Sequence, residues 1–130
     1  MRIAVPIISK SLKSTISPVF GRSNFFLIAE IEDSKIKDYE IVENPGAFSV
    51  RGAGVAVSQL LLNKKVDAVI TISIGPNPLS LLESSGVKIY QGFQGSAEEN
   101  IKAFLEGRLS EIRIPVRGRF RWRRGWGWRW

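Results

Sequence analysis

The stretch that decides the fold runs from Glu43 to Asn77, ENPGAFSVRGAGVAVSQLLLNKKVDAVITISIGPN. It reads as a loop, a glycine-rich turn, a helix, a buried strand and a second tight turn. Ala53, Val57, Leu60 and Leu61 recur at i, i+4, i+7 and i+8, which predicts a helix from Gly52 to Asn63. Asp67–Ser73 (DAVITIS) is β-branched and lacks polar alternation, the pattern of a strand buried on both faces. Asn77-Pro78 has the chemistry of an N-cap followed by proline at the first helical position. Helix, buried strand and helix in succession imply crossover connections and an α/β sheet.

Upstream, Arg2–Ile8 is an apolar run that predicts a first strand. Pro6 has no N–H and should face an edge, a bulge or an unpaired position. Ser9–Asn24 is polar and rich in Ser and Lys, so a long loop is expected. Phe25–Glu32 and Lys35–Glu43 predict two further strands joined by a tight hairpin at Asp33-Ser34. Alternation along the third strand places Ile36, Asp38, Glu40 and Val42 on one face and Lys37, Tyr39, Ile41 and Glu43 on the other.

Downstream, Gly86 suits the left-handed residue after a helix, and Val87–Gln91 predicts a short last strand. Ser96-Ala-Glu-Glu99 is a capping box, and Ala97, Ile101, Phe104 and Leu105 supply an apolar stripe that ends at Gly107. The order is βββαβαβα, a mixed five-stranded sheet covered by helices. Ile112, Ile114 and Val116 alternate and could add an edge strand.

A chain of 130 residues, 44% hydrophobic and 24% charged, is sized for one globular domain. Its net charge of +7 is uneven: residues 111–130 hold seven Arg and one Glu, leaving residues 1–110 nearly neutral. Division into an α/β domain over 1–110 and a basic tail over 111–130 follows. No apolar run is long enough to span a membrane, and the strand-like N-terminus does not read as a signal peptide. A cytoplasmic location is expected.

The chain contains no Cys and no His. Disulfides, thiolate or imidazole ligation, Cys nucleophiles and His general bases are all excluded. This strand order also suits ribonuclease H-like nucleases, which need acidic residues on the first strand to hold Mg²⁺. Arg2–Ile8 has none, so nuclease chemistry is not expected.

Three segments could bind a ligand. Arg51-Gly52-Ala53-Gly54 opens a helix, where backbone N–H groups approached past glycine suit an anion and Arg51 adds a charged fork. The competing reading is that these small residues let the helix pack closely. Ile74-Gly75-Pro76-Asn77 lies where a buried strand ends, the place where ligands collect in open α/β sheets; plain turn chemistry is its alternative. Ser17–Asn24 mixes hydroxyls and an amide with Arg22 and Phe20, the latter as much a core plug as a ligand wall. The tail, with Arg119, Arg121, Trp122, Arg123, Arg124, Trp126 and Trp128, combines phosphate attraction with stacking surface. It would suit a nucleic acid, an anionic membrane surface, or packing back on the domain or a second subunit.

Met1-Arg-Ile-Ala-Val-Pro, Ser17-Pro-x-Phe-Gly-Arg22, Glu43-Asn-Pro-Gly-Ala47, Gly52-x-Gly54, Asp67-Ala-Val-Ile and Gly75-Pro-Asn77 occur in that order. Together they resemble the dinitrogenase iron–molybdenum cofactor biosynthesis family across Met1–Leu109. The resemblance implies a ribonuclease H-like α/β fold and a non-catalytic role, binding or carrying an anionic iron–sulfur or iron–molybdenum type cluster. Residue by residue it implicates Ser17, Phe20, Gly21, Arg22, Asn44, Gly52, Gly54, Gly75 and Asn77; Arg51 is added on charge alone. Members of the family often carry His before Phe-Gly-Arg and after Asn-Pro-Gly-Ala. Here those places hold Val19 and Phe48-Ser49, so a cluster would be held as an anion by Arg and backbone N–H groups. A homodimer is a further candidate assembly. Nucleic-acid binding through the tail is the rival function.

Overall fold

The computed structural model describes residues 1–45 and 53–114. Five strands form one sheet in the order β3-β2-β1-β4-β5. They are β1 (Arg2–Ile7), β2 (Phe25–Glu32), β3 (Lys35–Glu43), β4 (Ala68–Thr71) and β5 (Lys88–Gln91). The helices are α1 (Ala53–Asn63), α2 (Pro76–Ser84) and α3 (Ala97–Leu105), and Phe20–Arg22 makes one 3₁₀ turn. β2 is antiparallel to both β1 and β3, whereas β1, β4 and β5 are parallel. Thus β2 alone runs against the other four strands.

The pleat sorts the strands' side chains into two cores. Ala4, Ile28, Val69 and Ile89 face one layer and pack with Val57 and Leu61 of α1 and Leu79 and Leu82 of α2. Ile3, Val5, Leu27, Ala68 and Ile70 face the other and pack with Ala97 and Ile101 of α3. β4 is buried at all four positions, as its lack of polar alternation requires.

Local chemistry agrees with the sequence at several points. Asp33 and Ser34 both adopt positive φ, 54° and 60°, as a two-residue hairpin demands. Pro6 lies beyond the β1–β4 ladder, which ends at Ala4 opposite Val69. No N–H is needed there, and the Pro6 carbonyl instead accepts from Ser17 N at 2.8 Å. Gly86 takes φ 88° after α2 and Gly107 φ 74° after α3. The Ser96–Glu99 capping box is complete on both sides.

Three expectations need correction. A register shift places Glu30 opposite Asp38 but Ile31 opposite Ile36, so Lys37 is an extra residue on β3. This bulge reverses the alternation: Ile36 and Ile41 pack on the α3 side, while Val42 packs on the α1/α2 side. Ile36 and Val42 therefore do not share a face. β4 ends at Thr71 rather than Ser73, because the Ser73 carbonyl leaves the ladder to accept from Phe20 N (3.1 Å) and Thr71 Oγ1 (3.1 Å). α2 begins at Pro76 with Gly75 as N-cap, so Asn77 is inside the first turn and caps nothing.

In place of the extra edge strand, the described residues show one isolated antiparallel bridge, Tyr90 to Glu111. Gln91 N donates to Ser110 O at 2.8 Å and Ile112 N donates to Ile89 O at 2.7 Å, with Ile112 buried against the α1/α2 layer. Ile114 is exposed, and Val116 lies outside the described residues.

Candidate anion site at the carboxyl ends of the strands

Since four strands run the same way, Ile7, Glu43, Thr71 and Gln91 finish at one end of the sheet, where β2 starts at Phe25. The described parts of the segments that the sequence nominated for binding within the α/β domain lie at this end. Residues 46–52, which lead into α1, lie outside the described residues, and with them Arg51 and Gly52. The pocket expected between Phe20–Asn24 and the helix starts at Gly52 and Asn77 therefore falls in part outside the described residues.

The loop before β2 is stitched down rather than loose. Ser73 Oγ donates to Pro18 O at 2.5 Å, and Phe20 N donates to Ser73 O. Asn44, 7% exposed, donates from Nδ2 to Gly21 O (3.0 Å) and Ser23 O (2.9 Å), while its own N–H reaches Asn24 O (3.1 Å). The 3₁₀ turn is thereby held between the end of β3 and the end of β4, and it packs against α1.

These contacts divide the nominated residues by role. Phe20 is fully buried, edge-on to Phe26 at 5.2 Å between ring centres, and serves the core. Ser17 is buried, with its N–H on Pro6 O and its hydroxyl directed at Val19 O (3.5 Å). Asn44 ties loop to strand, and Gly21 supplies one of its acceptors. Gly54 lies against α2: a Cβ there would fall 2.7 Å from Pro78 Cγ. Close helix packing accounts for that glycine. Gly75 has open space around it, with Pro78 Cδ at 4.0 Å, and Asn77 is exposed. Arg22 is exposed at the end of the 3₁₀ turn, the one nominated cation among the described residues.

The three helix starts differ in the donors they hold. In α3 the first-turn N–H groups are already used: Ala97 N on Ser14 O, Glu98 N on Leu12 O and Glu99 N on Ser96 Oγ. In α2, Pro76 and Pro78 have no N–H, and Leu79 N bonds Gly75 O, which leaves Asn77 N–H in that turn. The α1 start, Ala53-Gly54-Val55, has no proline, so each residue carries an N–H. The α3 start therefore has fewer N–H groups to offer an anion than the α2 start, and the residues that precede α1 lie outside those described.

Two titrating groups at this end are displaced from their ordinary values. Hydrogen bonding and then charge from Glu98 raise Lys13, at a separation of 2.8 Å. Hydrogen bonds from the Ser96 backbone and then its side chain lower Glu99. Both groups fasten the 9–16 loop and the α3 start; neither belongs to a ligand site.

Two structural residues were missed by sequence reading. Asn100 is fully buried and holds Phe93 N (2.9 Å), Phe93 O (3.0 Å) and Ser96 O (2.9 Å), fixing the turn after β5. Gly92 must be glycine there, since a Cβ would fall 2.8 Å from Asn100 Oδ1 and 3.0 Å from Ile16 and Ile70. A polar Asn beside the apolar stripe of α3 was the available signal. Among the described residues no three His, Cys, Asp or Glu side chains gather in a metal-binding group.

Comparison with known proteins bears on the family and the fold. A family model described as dinitrogenase iron-molybdenum cofactor matches residues 1–107. An uncharacterised protein of Methanocaldococcus jannaschii is 40% identical over 112 residues, which is 86% of this chain and 92% of the relative. The NMR structure of a candidate NifB protein from Thermotoga is 36% identical, with TM-score 0.78 over 89% of this chain and 97% of that one. The apo orange protein of Desulfovibrio gigas has TM-score 0.81 at 24% identity, covering 89% and 96%, a likeness of fold. With the family match spanning residues 1–107, the chain belongs to the dinitrogenase iron–molybdenum cofactor family.

Proposed function

We propose that the protein binds an anionic metal–sulfur cluster, of iron–sulfur or iron–molybdenum type, or a related anionic ligand, at the carboxyl end of its sheet and carries it without transforming it. Family membership supplies the class of cargo. The observation that carries the reading is the packing of the Arg22 turn against α1, whose start, Ala53-Gly54-Val55, contains no proline. A cationic side chain and backbone N–H groups at a helix start suit an anion and need no soft ligand.

The donor set determines the kind of binding. With neither Cys nor His in the chain, the protein has no thiolate or imidazole to place on iron or molybdenum. The cargo is therefore held through its outer sulfur and oxygen atoms, and release requires no metal–protein bond to break. Arg22 and the N–H groups of Ala53, Gly54 and Val55 are the proposed contacts, with Arg51 and Gly52 adjoining them in sequence. Asn77 contributes one N–H from α2. Ser17, Phe20, Gly21 and Asn44 support the turn that presents Arg22.

The strand order, with β2 alone antiparallel, supports a ribonuclease H-like ancestry for the scaffold. β1, Arg2-Ile-Ala-Val-Pro-Ile7, carries no carboxylate, which favours carriage over phosphodiester chemistry. Anaerobic loading followed by gel filtration and elemental analysis tests the proposal, and metal that co-elutes with the protein is the expected result.

A further inference from the structure

We propose that the protein pairs with a second copy of itself along the open edge of β3, about a two-fold axis at Ile41, so that two sheets join into one. This association is independent of the cargo. The two edges of the sheet are finished differently. The β5 edge is met by the chain's own later segment, with Gln91 N donating to Ser110 O at 2.8 Å and Ile112 N to Ile89 O at 2.7 Å. The other edge is β3, the longest of the five strands, and no described residue pairs with its outer side. A long exposed edge is a template for another strand.

Only the first half of that edge is blunted. The bulge at Lys37 breaks the ladder near its start. Asp38 Oδ1 accepts from Tyr39 N at 2.8 Å, so this N–H points away from β2. Asn44 N points inward and donates to Asn24 O. Alternation between these two residues turns the backbone groups of Tyr39, Ile41 and Glu43 outward. Beyond Asp38 the edge is open, with Ile41 half-buried on the α3 side and Tyr39 44% exposed.

Charge selects both the partner and the axis. β3 carries its cations first, Lys35 and Lys37, and its anions after them, Asp38, Glu40 and Glu43. An antiparallel copy therefore sets a cationic start beside an acidic end. A symmetric pair brings each contact in twice, and like charges directly opposite are destabilising. An axis at Tyr39 sets Asp38 opposite the partner's Glu40, while axes at Glu40 or Glu43 set a carboxylate on its own copy. Axes at Ile41 and Val42 avoid this. Of these, only Ile41 puts Tyr39 opposite the partner's Glu43 and keeps Glu43 on the diagonal to the partner's Lys37, within reach of a long side chain.

About Ile41, Ile41 meets its own copy on the α3 side and Glu40 faces the partner's Val42 on the other. Ile41 N–H donates to the partner's Ile41 O, and Glu43 N–H to the partner's Tyr39 O. Tyr39 N–H keeps its bond to Asp38.

Sedimentation equilibrium of the full-length protein should show a reversible dimer. Tyr39 is exposed, so its variants probe the register without opening the core. Tyr39→Glu sets like charges opposite each other twice and should weaken the dimer roughly tenfold, whereas Tyr39→Lys should tighten it. Amide exchange at Ile41 and Glu43 should slow as protein concentration rises. A monomer at every concentration up to about 1 mM would overturn the proposal. So would a dimer equally tight in Tyr39→Glu and Tyr39→Lys, which would put the interface on another surface.

Discussion

Gly54 on α1 and Pro78 on α2 meet so closely that a β-carbon on Gly54 would lie 2.7 Å from Pro78 Cγ. The two helix starts flanking the candidate site are locked together by this contact. Gly→Ala in a helix normally stabilises by up to ~1 kcal/mol, but overpacking against a rigid ring costs about 1–3 kcal/mol. Gly54→Ala should therefore be destabilising by about 1–2 kcal/mol in urea denaturation. A neutral or stabilising result would show that α1 and α2 part easily.

Asn44 gives a second test. Its amide serves two carbonyls of the loop that carries Arg22. Asn44→Ala strands Gly21 O and Ser23 O in a buried setting, with an expected loss of about 2–4 kcal/mol. Asn44→Asp should be at least as damaging, because a carboxylate cannot donate to those oxygens. Equilibrium unfolding of the two variants decides the point.

Asn100 should behave likewise on the other side of the sheet. Asn100→Ala removes three hydrogen bonds from a fully buried position and should cost about 2–4 kcal/mol. Faster amide exchange at Phe93, with little change in β1, would locate the damage to the turn after β5.

Acid stability follows from the capping box. Glu99 is held below its ordinary value of 4.5 by Ser96, so its contribution is present above that value and lost as pH falls through the lower folded value. Glu99→Gln keeps a capping oxygen but stands in for the protonated acid, so it should lower stability modestly at neutral pH, leave it unchanged in strong acid and flatten the curve between. Thermal melts across the acid range check this. Lys13 works in the opposite sense: its stabilising pair with Glu98 persists below 10.5 and is lost as pH rises through the higher folded value.

Much of this was legible from residue patterns because the signals were local. Asp33-Ser34 forces a hairpin, Ser96–Glu99 forces a helix start, and the apolar DAVITIS run can only be central. The errors arose where tertiary contacts overrule the local pattern. Lys37 reads as one more alternating residue, and only pairing with β2 makes it a bulge. Asn77-Pro78 is a sound N-cap pair, yet Pro76 already satisfies the first helical position and moves the start two residues upstream. At the candidate site, the described parts of the nominated segments lie at one end of the sheet. It could not separate Arg22, which faces outward, from Phe20 and Asn44, whose work is to hold the turn. That division depends on burial. Gly54 resolves in favour of helix packing for the same reason.

The most direct test is metal retention by three forms of the protein: the native chain, Arg22→Ala, and a chain ending at Ile114. Ending at Ile114 rather than Leu109 keeps Ile112, which is part of the core. Each would be incubated anaerobically with thiomolybdate or with iron and sulfide, passed through gel filtration, and analysed for molybdenum and iron. The thermal midpoint of Arg22→Ala, measured alongside, separates a loss of binding from a loss of fold. The carrier account predicts that metal co-elutes with the native and shortened chains and falls roughly tenfold or more in Arg22→Ala, the loss of one charge-assisted contact. Equal retention by Arg22→Ala, or no retention by any form, would contradict it.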